Sequence, residues 1–283
     1  MEFSLTEFLP VTDRVYRAVA QPHGVTIGLV VGDAAALVVD TGNSVAQGRA
    51  IREAARHVAA GVPLAHVVVT HAHSDHLLGL GAFTDLTTWG ARGLPEAWAA
   101  APPSADELAA GRVDLAAVVF PTQTFSLAAT INLGGVHAEL VNFGPGHTAA
   151  DAVVILPEVG VVFAGDLLES AAFPAIGPDS ALADWPRTLD GTLGTLRSHS
   201  TIVPGHGPVM DQAGAFIQRG ELAWLSGQLD LLWDNGTALA DIWDSTDQWP
   251  CTRAEAEAAA AIRFTQFEAE NRPRRRTLPL LGR

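Results

Sequence analysis

An α/β fold of mixed β-sheets covered by helices is predicted for this chain by three observations. Short apolar runs of strand length alternate with helical patterns in the order strand, helix, strand, strands, helix, strand, helix. Hydrophobic residues make up 48% of the 283 and charged residues 17%, which is ample for a sizeable core and too little charge for a disordered polymer. Beyond Pro208 the character changes to long helical stretches, dividing the chain into a main unit over residues 1–210 and a helical extension over 211–283 packed on it.

The runs VTIGLVV (25–31) and AALVVD (35–40), separated by Gly32-Asp33, read as a β-hairpin. Ser44 then stands where it can cap a helix over 45–60, and HVVVT (66–70) reads as a buried strand. Residues 81–120 mix alanine-rich pieces such as ELAAG with Ala-Pro-Pro-Ser and read as a loop-and-helix segment over one face of the fold. Strand signals resume with TQTFSL from 122, then 136–143, 152–156 and 160–166. A helix over 182–198 and a short strand, TIVPGHG (201–207), precede helices over 212–233 and 253–270. The tail RPRRRTLPLLGR is basic and reads as a loosely docked terminus.

The formal net charge of -14 argues against a nucleic-acid partner, because phosphate binding needs a basic surface. No lysine occurs, and all 17 cationic side chains are arginine, so a substrate cannot be anchored through lysine. The lone cysteine, Cys251, allows no internal disulfide and permits a reducing compartment. Glu2 and Glu7 stand where a signal peptide would be positive, and no apolar run reaches membrane-spanning length. A cytoplasmic protein without a membrane partner is expected. Trp224 and Trp233, on a helical face, fit burial against the sheets, a pocket cap or a homodimer contact.

The stretch VVVTHAHSDHLLGL (67–80) carries the chemistry. Alternate residues of an extended segment share a face, so His71 and His73 can point together from the end of a strand, while Asp75 and His76 return from the following turn. Three histidines and a carboxylate are costly to bury unless a cation gathers them, and this donor set suits zinc. Three further strand ends carry single candidate ligands: His147 in NFGPGHT, Asp166 in VVFAGD and His206 in TIVPGHG. Each is approached by glycine, which lets the backbone turn sharply and come close to another group.

Taken together, His71, His73, Asp75, His76, His147, Asp166 and His206 resemble the ligand set of the metallo-β-lactamase superfamily, over about residues 15–210. The resemblance implies an αββα sandwich of two mixed sheets flanked by helices, with residues 1–210 as the catalytic domain. It implies two zinc ions, iron or manganese being alternatives. His71, His73 and His147 would hold one ion; Asp75, His76 and His206 would hold the other; Asp166 would bridge them. Asp40, in the Asp-Thr-Gly at 40–42, would brace the ligand loop.

Such a centre implies hydrolysis of an ester, lactone, thioester or amide in a small-molecule acyl substrate, by a bridging hydroxide that Asp75 orients and deprotonates. His23, before the first hairpin strand, reads as a substrate contact or a solvent-facing turn residue, and Phe173 and Trp185, after Asp166, read as pocket-wall contacts to the substrate or as ordinary core packing. Asp166 stands where the cysteine-bearing β-lactamase classes have cysteine, and the lysine that often holds the drug's carboxylate is absent. Dedicated β-lactamase activity is therefore not expected. The alternatives on this fold are a mononuclear-iron persulfide dioxygenase and a non-catalytic binding protein; retention of all seven ligand types favours the two-metal hydrolase.

Overall fold

Alternation along the strands sorts side chains into three separate cores. In the computed structural model, which describes residues 3–102, 105, 118–197 and 199–274, the first sheet contains β1 (Ser4–Leu5), β2 (Leu9–Pro10), β3 (Val15–Gln21), β4 (Val25–Val31), β5 (Ala36–Val39), β6 (Leu64–Val68), β7 (Thr87–Ala91) and β8 (Gln123–Phe125). The second contains β9 (Ala128–Asn132), β10 (His137–Val141), β11 (Val153–Leu156), β12 (Val161–Glu169) and β13 (Thr201–His206). Both are mixed: β5 to β8 run parallel and so do β12 and β13, whereas the remaining pairs are antiparallel. Among the described residues the strands of the two sheets bridge at one point, where β4 meets β13 through Val25 and His206, and the turn before β5 also bonds to the turn after β9, through the Ala34 and Ala35 N–H groups and the Leu133 carbonyl.

Along β12, Val161 and Phe163 face inward to the core between the sheets, where they meet Val30, Leu37 and Val68 from the first sheet. Val162 and Ala164 face outward. This period of two, with both faces apolar, is the mark of strands covered on both sides. The outer face of the first sheet packs Ile27, Val38 and Val67 against Ile51 and Ala55 of α1 (Val45–Val58). Ser44 caps α1, its side chain accepting the N–H of Gln47 at 3.2 Å, an interaction of about 1 kcal/mol. A short helix, α2 (Ser74–Leu77), runs into a 3-10 segment over Leu78–Phe83 that lies against α1.

After α3 (Leu94–Ala100), three helices cover the second sheet: α4 (Trp185–Gly194), α5 (Gln212–Asp234) and α6 (Arg253–Ala269). Leu189, Leu225 and Phe264 from these helices share one core with Val153, Val162 and Ile202 of the strands. Trp233 is buried against Phe264 and Phe267, while Trp224 is half-buried and packs edge-on against Trp249. The layers are thus helix, sheet, sheet, helix, and the C-terminal helices form part of the last one. No helix among the described residues is long and apolar enough to cross a membrane.

The hairpin 25–31/36–39, the helix at 45–58 and the C-terminal helices at 212–234 and 253–269 lie within two residues of their expected bounds. The helix expected over 182–198 is confined to Trp185–Gly194. Strands β1, β2, β3, β7 and β9 are additional to the sequence expectation, whereas α3 falls in the segment expected to mix loop and helix. The ELAAG piece and most of the basic tail lie outside the described residues.

Candidate metal centre

All seven candidate ligands gather at the edge where the two sheets touch. His71 and His73 follow β6, Asp75 and His76 sit in α2, His147 follows β10, Asp166 lies in β12 and His206 ends β13. The donor atoms form two groups, His71, His73, His147 and Asp166 in one and Asp75, His76 and His206 in the other, with all atoms of each group within 4.8 Å of one another. Asp166 faces both. Its Oδ2 lies 3.7 Å from His71 Nε2, 3.5 Å from His147 Nε2 and 3.4 Å from His206 Nε2, and its Oδ1 lies 3.2 Å from His76 Nε2. Asp75 Oδ2 lies 3.3 Å from His206 Nε2 and 3.8 Å from His76 Nε2.

Hydrogen bonds on the far side of the His73, His76 and His147 rings determine which nitrogen looks inward. Asp40 Oδ2 holds His76 Nδ1 at 2.8 Å, and its Oδ1 accepts the N–H of Thr70 at 2.8 Å. Asp40 achieves this in the left-handed region, at φ 64°, a strained conformation for a residue with a Cβ. The Ala175 carbonyl takes His147 Nδ1 at 3.2 Å, and Asp179 Oδ2 takes His73 Nε2 at 3.0 Å. Asp179 was not singled out from the sequence. It stands in PAIGPDS with no ligand-like spacing, and only the fold brings it to His73.

Charge is concentrated here to a degree that burial alone would forbid. Burial, reinforced by His76, holds His71 well below its usual pKa, and burial with His73 lowers His147 to about 4. Burial opposes protonation of His76 and His206 too, but carboxylates outweigh it. Asp166, Asp40 and Asp75 raise His76 well above its usual value, and hydrogen bonds to Asp166 and Asp75 raise His206 to about 10. Asp75 and Asp166 resist burial through His76 and its neighbours and stay below the usual carboxylate range. Asp151, buried and accepting from the Thr148 N–H and hydroxyl, is pushed by burial up to about 7.

The side chains fit a pair of cations. His71 Nε2, His76 Nε2 and Asp166 Oδ1 are buried without a hydrogen-bond partner, although each is turned into the cluster. Orphaned buried donors and acceptors are expensive, and imidazole with carboxylate oxygen is the donor set that zinc prefers.

The model of the metallo-beta-lactamase superfamily matches residues 20–215. The chain belongs to the metallo-beta-lactamase superfamily. Within that superfamily it is 28% identical over 148 residues to the metallo-beta-lactamase type 2 of Bacillus sp. (strain 170), and 26% identical over 148 residues to that of Bacillus cereus. These alignments cover 52% of this chain and 52–53% of the relatives, so the chain spans about half the length of the curated relatives it matches. Among solved structures, a metallo-beta-lactamase from Pontibacter korlensis superposes with a TM-score of 0.62 at 23% identity, covering 77% of this chain and 99% of the other. The DIM-1 metallo-beta-lactamase superposes with a TM-score of 0.65 at 20% identity, covering 80% and 100%. At such identities the likeness is one of fold.

Beside this candidate metal centre opens a cleft of about 370 Å³, lined by His23, Asp75, Ala101, Ile176, Pro178 and Asp179 among others. His23 lies at the tip of the β3–β4 hairpin, with its Nε2 buried and unpartnered. The other two candidate substrate contacts lie elsewhere. Trp185 is fully buried, its indole N–H donating to the Leu167 carbonyl at 3.1 Å and its ring set edge-on to His147 at 5.4 Å. It buttresses a ligand rather than lining the cleft, because α4 begins inside the core. Phe173 lines a separate, smaller cleft on the other side of the loop after β12.

Proposed function

We propose that this protein is a metal-dependent hydrolase acting on an ester, lactone, thioester or amide bond of a small acyl substrate, with a dinuclear zinc centre. The observation that carries this reading is the placement of Asp166 between the two donor groups, one carboxylate facing four imidazoles. His71, His73 and His147 would hold one cation, Asp75, His76 and His206 the other, with Asp166 shared. Bound there, the ions would supply Lewis acidity and solvent activated near neutral pH.

The chain's own groups take up the remaining work. Asp75 lines the cleft and is held ionised by His76 and His206, so its carboxylate can accept a proton from attacking solvent and return it to the leaving atom. His23 Nε2 is available to a polar atom of the substrate. Ile176, Pro178 and Ala101 offer apolar contacts to the acyl portion. With no lysine in the chain, the reading favours a substrate that needs no lysine anchor, and it sets dedicated β-lactam cleavage aside.

Metal analysis of the purified protein, run with a panel of lactones, thioesters, phosphodiesters and β-lactams, tests the proposal. About two zinc ions per chain with lactone, ester or thioester turnover are expected. One iron per chain with persulfide-dependent oxygen uptake would overturn it in favour of a dioxygenase, and a metal-free inert protein in favour of a binding role.

A further inference from the structure

The cleft that receives Phe173 has a volume of about 220 Å³ and lies between the loop after β12, the first half of α5 and Pro250. Its walls are apolar: Phe173, Pro174, Met210, Ile217 and Pro250. Two acidic side chains, Glu169 and Glu221, open onto it together with the amide of Gln218.

The polar groups at its base are only half satisfied. Glu169 is 9% exposed, and one carboxylate oxygen accepts the Ala175 N–H at 3.0 Å. Its other oxygen has no hydrogen-bond partner among the described residues. Gln218 is 5% exposed, and its Oε1 accepts the Glu169 N–H at 3.2 Å, which fixes the amide orientation. Its Nε2 is consequently a buried donor with no acceptor. A fold gains nothing by leaving a buried amide donor without a partner, and the free oxygen of Glu169 opens onto the same cleft.

We propose that this second cleft binds a small primary ammonium compound with an apolar body and an acceptor oxygen beside the ammonium, such as an amino alcohol. The ammonium meets Glu169 with Glu221 near the rim, the oxygen meets Gln218 Nε2, and the hydrocarbon part lies against Phe173, Met210 and Ile217. An anion would meet two carboxylates, and a purely apolar ligand would leave the Gln218 donor without a partner. The cleft is separate from the one beside the metal centre, although Glu169 pairs with His206 in the β12–β13 register, and the proposal does not rest on the hydrolase reading.

Calorimetric titration of the full chain with leucinol, and with 4-methylpentan-1-ol as the same molecule lacking the amine, tests it. Saturable leucinol binding is expected, about tenfold or more tighter than the alcohol, the scale of one charge-assisted hydrogen bond. Glu169→Gln keeps an acceptor for Ala175 and should reduce leucinol to the level of the alcohol. Ile217 is 63% exposed, so Ile217→Arg should leave the fold intact while placing a cation at the mouth and abolishing binding. Equal affinity for the two probes, undiminished leucinol binding by Glu169→Gln, or undiminished binding by Ile217→Arg would each overturn the proposal.

Discussion

His73 Nε2 lies 3.0 Å from Asp179 Oδ2 across 106 residues of sequence. That bond turns His73 Nδ1 toward His147 Nε2, 2.9 Å away, and two ring nitrogens facing each other at that distance must share a proton or a cation. Asp179→Ala should therefore lower zinc affinity by about 10–100-fold while leaving the circular dichroism spectrum unchanged. Competition with a chromophoric chelator measures it, and unchanged affinity would remove Asp179 from any role in holding His73.

Gly205 sets a second expectation. A Cβ at this position would stand 1.8 Å from Asp166 Oδ1, so Gly205→Ala must displace either β13 or the carboxylate shared by both donor groups. Overpacking of this kind costs about 1–3 kcal/mol, which leaves the chain folded. Its bound zinc, counted by elemental analysis after dialysis, should fall well below that of the wild type.

The pH dependence of stability should carry a contribution from Asp151. Burial raises its folded pKa from 3.8 to about 7, so the folded state holds this proton where the unfolded chain releases it. The stabilising contribution is full below 3.8, declines as pH rises from there to about 7, and is flat above. Asp151→Asn removes the titration. In metal-free protein the wild-type stability, relative to this variant, should decline across that interval in urea unfolding.

Trp185 is fully enclosed, and its indole N–H is satisfied by Leu167. Trp185→Ala should cost about 3–5 kcal/mol, visible as a large drop in melting temperature. Because the ring also abuts His147, zinc affinity should fall in the protein that remains folded.

Much of this architecture was legible in the sequence because its signals are local. The hairpin at 25–40, the Ser44 cap and the heavy apolar runs announce themselves over a few residues, and the ligand types cluster at strand ends behind glycines. What was not legible depends on distant contacts. Strand β3 mixes apolar residues with Tyr16 and Arg17 and is fixed by pairing with β4, not by its own composition. From sequence Trp185 fits the core or a pocket wall equally well, because its depth follows from where α4 starts. Asp179 and Glu169 carry no motif, and their partners His73 and Ala175 are chosen by the path of one loop.

Val25 and His206 form the one strand-to-strand bridge between the two sheets among the described residues, and the candidate metal ligands are divided across it, four from the first half of the molecule and three from the second. A cation pair seated there would act as a rivet. Cohesion of the halves and occupancy of the centre would then be one equilibrium viewed from two sides, so chelation should loosen the joint, and any force that parts the joint should spill the ions.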